Sequence, residues 1–203
     1  MFGGLRGPAL LAWMQQRIAS YYALDETPDV RDFVRPVDDD QREALLVRQS
    51  EDAIEIALLL PERLLVEAER GVDPDVDTDE VLQAIEGVSH FVFLAERVRT
   101  GLPTTRLELE LQAEVDKFVL FALAGDPTGH AERLELRRSL FERVRYLHDA
   151  SSEEGMRYRL ANDLADRYVR RFQPESPHRE VRAELCRFYR AGQSDKIRMA
   201  RAA

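Results

Sequence analysis

Cysteine is almost absent from this 203-residue chain, and lysine is nearly as rare. The single cysteine, Cys186, excludes a disulfide within the chain and is typical of proteins from a reducing compartment. The only lysines are Lys117 and Lys196, so arginine carries nearly all of the positive charge. Such a preference is typical of a genome rich in G and C, and it favours a bacterial source.

No apolar run is long enough to cross a membrane. The longest runs, residues 56–60 and 118–124, are much shorter than the roughly 20 residues of a transmembrane helix. The N-terminal apolar segment ends at the polar residues 15–17, and no small-residue cleavage site of a signal peptide follows. We therefore expect a cytoplasmic protein.

Recognisable catalytic motifs are missing as well. The chain has no glycine-rich phosphate loop, no serine-nucleophile elbow and no Cys-x-x-Cys pair. Cys186 lies between Leu185 and Phe188 near the apolar face of a predicted helix, a position typical of a small core residue. These absences favour a non-catalytic function, and no cofactor is expected.

The composition is that of a globular, mostly helical protein, with 44% hydrophobic and 33% charged residues. Apolar residues recur at three-and-four spacing along most of the chain. We predict a mainly α fold: a helical bundle of about five to seven helices with a small N-terminal β-hairpin. Residues 1–75 form an N-terminal helix, hairpin and short helix packed on the bundle, residues 76–192 its core, and residues 193–203 a basic C-terminal tail.

Residues 43–60 allow two interpretations. Two short apolar runs flank a polar turn, and in the second run, residues 54–60, the apolar residues alternate as in a strand. A helix through the same residues would also have an apolar face. Pro61 favours the hairpin, because proline begins a helix well and interrupts one badly. We therefore predict a hairpin followed by a short helix over residues 61–70, after an irregular connection that ends near residue 40.

Capping residues and apolar stripes define the other helices. Thr105 and Glu108 form the pattern of a capping box, as do Ser151 and Glu154. Apolar stripes follow both boxes. The predicted helices cover residues 9–23, 78–99, 106–124 and 131–148, then a helix from Ser151 to Phe172 and one from Ser176 to Gly192.

Charge is distributed unevenly along the chain, whose net charge is −9. Residues 131–203 contain 17 basic against 12 acidic residues, whereas residues 1–130 contain 12 against 26. Arginines interleaved with aromatic rings can bind single-stranded nucleic acid, although an acidic chain lacks the usual overall charge for it. One alternative function is therefore binding of nucleic acid or another anionic ligand through Arg182, Arg187, Arg190, Lys196 and Arg198.

The leading hypothesis is a non-catalytic protein-interaction or regulatory module. The N-terminal helix carries Trp13, Tyr21 and Tyr22, aromatic residues of the kind that are enriched at protein interfaces. Because this helix precedes the predicted bundle core, it could bind a partner protein or a second copy of the chain. Packing onto its own domain is the competing interpretation.

A third hypothesis is a metal-dependent phosphohydrolase. His148-Asp149 resembles the paired metal ligands of HD-type phosphohydrolases, with Asp163 or Asp166 available as the later aspartate. The glycine-containing sequence that usually follows the pair is absent. A histidine at a helix C-terminus is the simpler interpretation, because the carbonyl groups there favour a positive charge.

Four further polar residues have the spacing of one helix side. Glu86 and His90 are four residues apart, as are Glu110 and Glu114, and together they could form a single metal site. A surface pair and a solvated acidic stripe are the simpler interpretation. The sequence leaves open whether Glu96, Glu114 and His90 converge in space.

Overall fold

The computed structural model describes residues 7–50, 53–65, 78–123, 130–173 and 175–202. It confirms the predicted class, because about 65% of the chain is helical and a small three-stranded sheet lies near the N-terminus. Residues 62–65 begin the predicted short helix, whose remainder lies outside the described residues. The other helices are α1 (Gly7–Tyr22), α2 (Thr78–Arg99), α3 (Arg106–Phe118), α4 (His130–Phe141), α5 (Glu153–Val169), α6 (His178–Arg190) and α7 (Gln193–Arg201).

Helix α1 packs against α2 and α6 and belongs to the main core. Gln15 in its middle joins it to the following chain: Nε2 donates to the Pro28 carbonyl at 2.6 Å, and Oε1 accepts from the Val30 backbone at 2.8 Å. Apolar side chains at three-and-four spacing make the buried stripe. They are Leu10, Leu11, Met14, Ile18, Tyr21 and Tyr22.

The sheet contains the predicted hairpin and one strand that the sequence did not suggest. Strand β2 (Ala44–Gln49) pairs antiparallel with β3 (Ile54–Pro61), and β1 (Val34–Val37) pairs parallel with the other side of β3. The predicted irregular connection was wrong for the residues of β1. Proline normally indicates that a segment is not a strand, but Pro36 lies within β1. Proline is tolerated on an edge strand, and β1 is one. Pro61 likewise ends β3 and does not begin the helix.

A glycine allows the sheet to lie close to α2. A Cβ atom at Gly87 would lie 3.1 Å from Leu58 Cδ1 and 3.2 Å from Leu60 Cδ2, closer than most side chains tolerate. Both leucines are fully buried. Gly87 therefore sets the distance between β3 and the middle of α2, and it brings the first residues of β2 near the same helix.

Helices α2 and α3 form the centre of the bundle and run antiparallel. The predicted capping box begins α3: Glu108 N donates to Thr105 Oγ1 at 3.2 Å, and Thr105 N donates to Glu108 Oε2 at 2.9 Å. After Phe118 the helix widens into a π-helical turn, Val119–Leu123, whose apolar residues are largely buried.

Helix α4 ends at Phe141 rather than at residue 148. The backbone N–H groups of Glu142 and Arg143 both donate to the Arg138 carbonyl, which closes the helix and turns the chain away. The predicted helix over residues 131–148 is therefore too long, and Leu134, Val144 and Leu147 are exposed.

The N-cap of α5 is Ser152, not Ser151. Its Oγ accepts a hydrogen bond from Gly155 N at 2.9 Å. Asp149 accepts from the backbone N–H and hydroxyl of Ser151, so Ser151 belongs to the preceding turn.

The predicted basic tail is a packed helix. Helix α7 contacts α5, α3 and α6, and it buries Lys196 and Ala200, which are four residues apart on one side. The tail prediction failed because the only clear signal was charge, and a lysine in a charged segment is normally solvated. None of the helices in the described part of the chain is long and apolar enough to cross a membrane.

Candidate metal centre

Polar side chains of α3 are buried because other elements surround this helix. The spacing of Glu110 and Glu114 had suggested a solvated acidic stripe on this helix. Neighbouring helices instead cover most of its polar side chains. The buried polar residues of α3 are Glu108, Glu110, Gln112, Asp116 and Lys117.

One group of these residues forms a hydrogen-bonded network in which the central acid is satisfied. Asp116 accepts from the Tyr22 hydroxyl and the Ser89 hydroxyl, each at 2.6 Å, and from Gln112 Nε2 at 2.9 Å. Lys196 Nζ donates to Gln112 Oε1. This network ties α1, α2, α3 and α7 together and has a structural role.

A second group places two carboxylates and an imidazole around one point. Glu86 and His90 lie four residues apart on α2, and Glu110 faces them from α3. One ligand atom from each side chain lies within 4.8 Å of the other two, and all three residues are buried. His90 Nε2 is 3.6 Å from Glu110 Oε2, too far for a hydrogen bond. That nitrogen has no hydrogen-bond partner among the described residues, although His90 is only 8% exposed.

Two cations, Lys117 and Arg157, contact the carboxylates of this cluster. Lys117 Nζ lies 3.1 Å from Glu86 and 2.9 Å from Glu114. Arg157 Nε, from α5, lies 3.5 Å from Glu110 Oε1. Groups of this kind orient the carboxylates that contact a metal and fix their charge.

Glu43, the residue immediately before β2, adds a fourth carboxylate. Its side chain is only 5% exposed, and Oε2 has no hydrogen-bond partner in the described part of the chain. Arg42 approaches it at 3.8 Å from the surface. Burial, reinforced by the charge of Glu86, raises the pKa of Glu43 to about 8.

The cluster has more acidic than basic groups. The carboxylates of Glu43, Glu86, Glu110 and Glu114 face two buried cations, those of Lys117 and Arg157. With all four carboxylates ionised and His90 neutral, the state that a bound metal requires, the excess is two negative charges, which match one divalent cation. Without a metal, the raised pKa values of Glu43, Glu114 and His90 reduce this excess.

Neighbouring charges also shift the pKa values of the two α2 residues. Burial opposes ionisation of Glu86, but Lys117 and His90 outweigh it and hold the pKa of Glu86 below its usual range. Burial alone would lower the pKa of His90, but Glu110 and the other carboxylates raise it. The cluster therefore attracts positive charge.

The ligand set selects among metals. Imidazole nitrogen with carboxylate oxygen suits Zn²⁺, Mn²⁺ and Fe²⁺, whereas Ca²⁺ and Mg²⁺ prefer oxygen ligands throughout. The sequence spacing had suggested these residues, but it could not show that β2 and α5 complete the cluster. No signal in the sequence links Glu43 or Arg157 to Glu86.

The aromatic residues predicted for a docking helix lie inward. Tyr22 is fully buried and stacks on Tyr189 at 4.2 Å between ring centroids, and Tyr21 is buried beside it. Trp13 is partly buried against the core, with Arg17 over its ring. The interaction-module hypothesis thereby loses the aromatic helix as a support and rests only on the absence of catalytic motifs.

The basic C-terminal residues all have intramolecular partners. Arg182 donates to the carbonyl groups of Ser20 and Tyr21, and Arg190 to that of Tyr22, so they fasten α6 to α1. The remaining three also have partners within the chain. Arg187 pairs with Glu184, Arg198 pairs with Asp195, and the buried Lys196 donates to Gln112.

His148 and Asp149 do not converge with a third ligand in the described part of the chain. The His148 ring stacks on Tyr158 at 5.2 Å, and Asp149 caps a turn through Ser151. Glu96 pairs with Arg99 as expected and stays apart from the cluster.

Comparison with known proteins adds no family assignment. No protein-family model, curated protein sequence or solved structure matches the chain. The functional conclusion must therefore come from the geometry of the cluster.

Proposed function

We propose that this protein binds a divalent transition-metal ion through Glu86, His90 and Glu110. The observation that carries the proposal is the buried His90 imidazole, one nitrogen of which lies within 4.8 Å of carboxylate oxygens of Glu86 and Glu110, while its Nε2 makes no hydrogen bond to any described residue. A buried imidazole nitrogen that lacks a partner is costly, and a metal ion would supply one. Once His90 and Glu43 have lost their protons, the cluster has two more negative than positive charges, which a divalent ion would balance.

Each surrounding group has a role in this proposal. Lys117 contacts Glu86 and Arg157 contacts Glu110, so these two cations would orient the carboxylates of the site. Glu43 is the candidate fourth ligand or the acceptor for a metal-bound water. Metal binding would displace protons from His90 and Glu43, so affinity should fall as the pH decreases.

The test is titration of chelator-treated protein with ZnCl₂ and with MnCl₂ by isothermal calorimetry. We expect one ion per chain and a higher midpoint of thermal unfolding in its presence. MgCl₂ and CaCl₂ should give neither effect. Absence of binding by both transition metals would leave the cluster as an ion-pair network and refute the proposal.

Three variants locate the site. His90→Asn and Glu110→Gln each remove a ligand and should weaken Zn²⁺ binding by about 100-fold or more, a larger loss than the 10–100-fold of an outer group. His148→Asn is the matched control, because that histidine is exposed and outside the cluster. Loss of binding in His148→Asn with retention in His90→Asn would favour the HD-like alternative instead.

A further inference from the structure

A cleft of about 340 Å³ lies beside the proposed metal centre. Its walls come from α2, α3, the segment after α4 and the beginning of α5. Tyr146 and Tyr158 line it, with the His148 ring stacked on Tyr158. Glu86 lines the same cleft, so the cleft and the proposed metal centre are adjacent. The volume fits a small organic molecule.

Five cations line this cleft, and three of them have carboxylate partners. Arg42 lies near Glu43, Lys117 binds Glu86 and Glu114, and Arg143 reaches Glu135 at 2.6 Å. The remaining two cations are Arg145 and Arg159. Within the described ranges, no carboxylate lies within 4.0 Å of Arg145 or Arg159.

Arg159 is held in a fixed position by neutral groups. Its Nη1 donates to the backbone carbonyl groups of Gly155 at 2.9 Å and His148 at 3.2 Å. Its guanidinium carbon lies 4.4 Å from the centre of the Tyr146 ring. Nε and Nη2 make no hydrogen bond to any described residue, so one edge of the guanidinium remains available.

Gly155 makes this arrangement possible. A Cβ atom there would lie 1.8 Å from the Asp149 carbonyl oxygen and 2.9 Å from Arg159 Nη1. Only glycine therefore allows the chain at Asp149 to cover the first turn of α5 with Arg159 beside it. Gly155 therefore helps to hold the Arg159 guanidinium in the cleft through its Nη1 contacts, with the edge formed by Nε and Nη2 facing no described hydrogen-bond partner.

We propose that the cleft binds a small phosphomonoester, with Nε and Nη2 of Arg159 on two phosphate oxygens. The planar fork of arginine matches phosphate in this way. Arg145 supplies the second positive charge, and together the two residues balance a group that carries nearly two negative charges at neutral pH. The organic part lies against Tyr146 and Tyr158. The proposed phosphate contacts involve no proposed metal ligand, although Asp79, Glu86 and Glu114 also line the cleft.

Calorimetric titration of chelator-treated protein with phenyl phosphate tests the proposal, and its result is separate from that of the metal titration. We expect binding of one molecule per chain, weakened at least tenfold in Arg159→Met and measurably in Arg145→Met. Arg167→Met is the control, because this exposed residue of α5 pairs with Asp163 outside the cleft. It should bind as the native protein does.

Three results would overturn the proposal: no binding of phenyl phosphate by the native protein, equal affinity for benzoate, or binding unchanged in both cleft variants. Circular dichroism checks the fold of each variant. If Arg159→Met fails to fold, Arg145→Met still decides the outcome, because the Arg145 side chain is exposed and its replacement disturbs no described contact.

Discussion

Lys196 offers a quantitative test of how this fold accommodates a buried amine. Its side chain is fully buried, and Nζ lies 4.6 Å and 4.4 Å from the ring centres of Phe93 and Phe188. Burial, aided by the positive charge of Arg97, lowers the pKa of Lys196 to about 7. Asp116 and the more distant Glu108 act in the opposite direction but do not compensate for the loss of water.

Replacement of Lys196 by methionine removes the titrating group and keeps most of the apolar volume. An unfolded lysine holds its proton up to about pH 10.4. Between pH 7 and pH 10 the unfolded chain therefore binds a proton that the folded chain lacks, and native stability falls as the pH decreases. The slope is at most about 1.4 kcal/mol per pH unit.

The Lys196→Met variant should not lose stability in this way as the pH decreases. Relative to the native protein, the free energy of unfolding of Lys196→Met should rise by roughly 2–3 kcal/mol between pH 10 and pH 8. Methionine also leaves Gln112 Oε1 without its donor, which costs about 1–3 kcal/mol at every pH. The diagnostic quantity is therefore the pH dependence of the stability difference between Lys196→Met and the native protein.

Urea unfolding followed by circular dichroism at pH 8, 9 and 10 measures it. Arg198→Met is the matched control on the same helix, because its side chain is 74% exposed and pairs only with Asp195. Its effect should stay within about 0.5 kcal/mol and not vary with pH. A constant difference between Lys196→Met and the native protein over this range would show that Lys196 remains protonated when folded, and the reasoning would be wrong.

Two further predictions concern packing and helix capping, and both are measured by urea unfolding at pH 7. Gly87→Val should destabilise the protein by about 1–3 kcal/mol, because its side chain would press on Leu58 and Leu60; Gly192→Ala, with open space around the new Cβ, is the control. Thr105→Ala should cost about 1 kcal/mol, whereas Thr105→Ser should retain most of the stability. Equal stability of Gly87→Val and Gly192→Ala, or of the two Thr105 variants, would contradict these explanations.

Local patterns predicted most of the secondary structure. The inward side of α6, formed by Val181, Leu185, Phe188 and Tyr189, followed from three-and-four spacing. The hairpin followed from alternation, and the start of α3 from its capping box. These features depend on residues close together in sequence, so the sequence contains the necessary information.

The errors arose where a polar residue is buried by distant parts of the chain. Helical periodicity assumes that polar side chains face water, but α3 has neighbours on several sides. Lys196 was assigned to a basic surface for the same reason. The contact of Glu43 and Arg157 with the α2 residues requires the three-dimensional arrangement of β2 and α5, which no local pattern encodes.

The two polar clusters around α3 differ in a way that supports the metal proposal. Every oxygen of Asp116 is hydrogen-bonded, so that cluster is complete as it stands. In the other cluster, three buried atoms make no hydrogen bond to a described residue and have only ion-pair contacts of 3.5–3.8 Å: Oε2 of Glu43, Nε2 of His90 and Nε of Arg157. Buried charge without hydrogen bonds is costly in a fold whose total stability is typically about 5–15 kcal/mol, and apolar side chains in its place would be less costly. A bound cation would give Oε2 of Glu43 and Nε2 of His90 the partner that the described residues do not supply, and it would balance the carboxylates once these two groups have lost their protons.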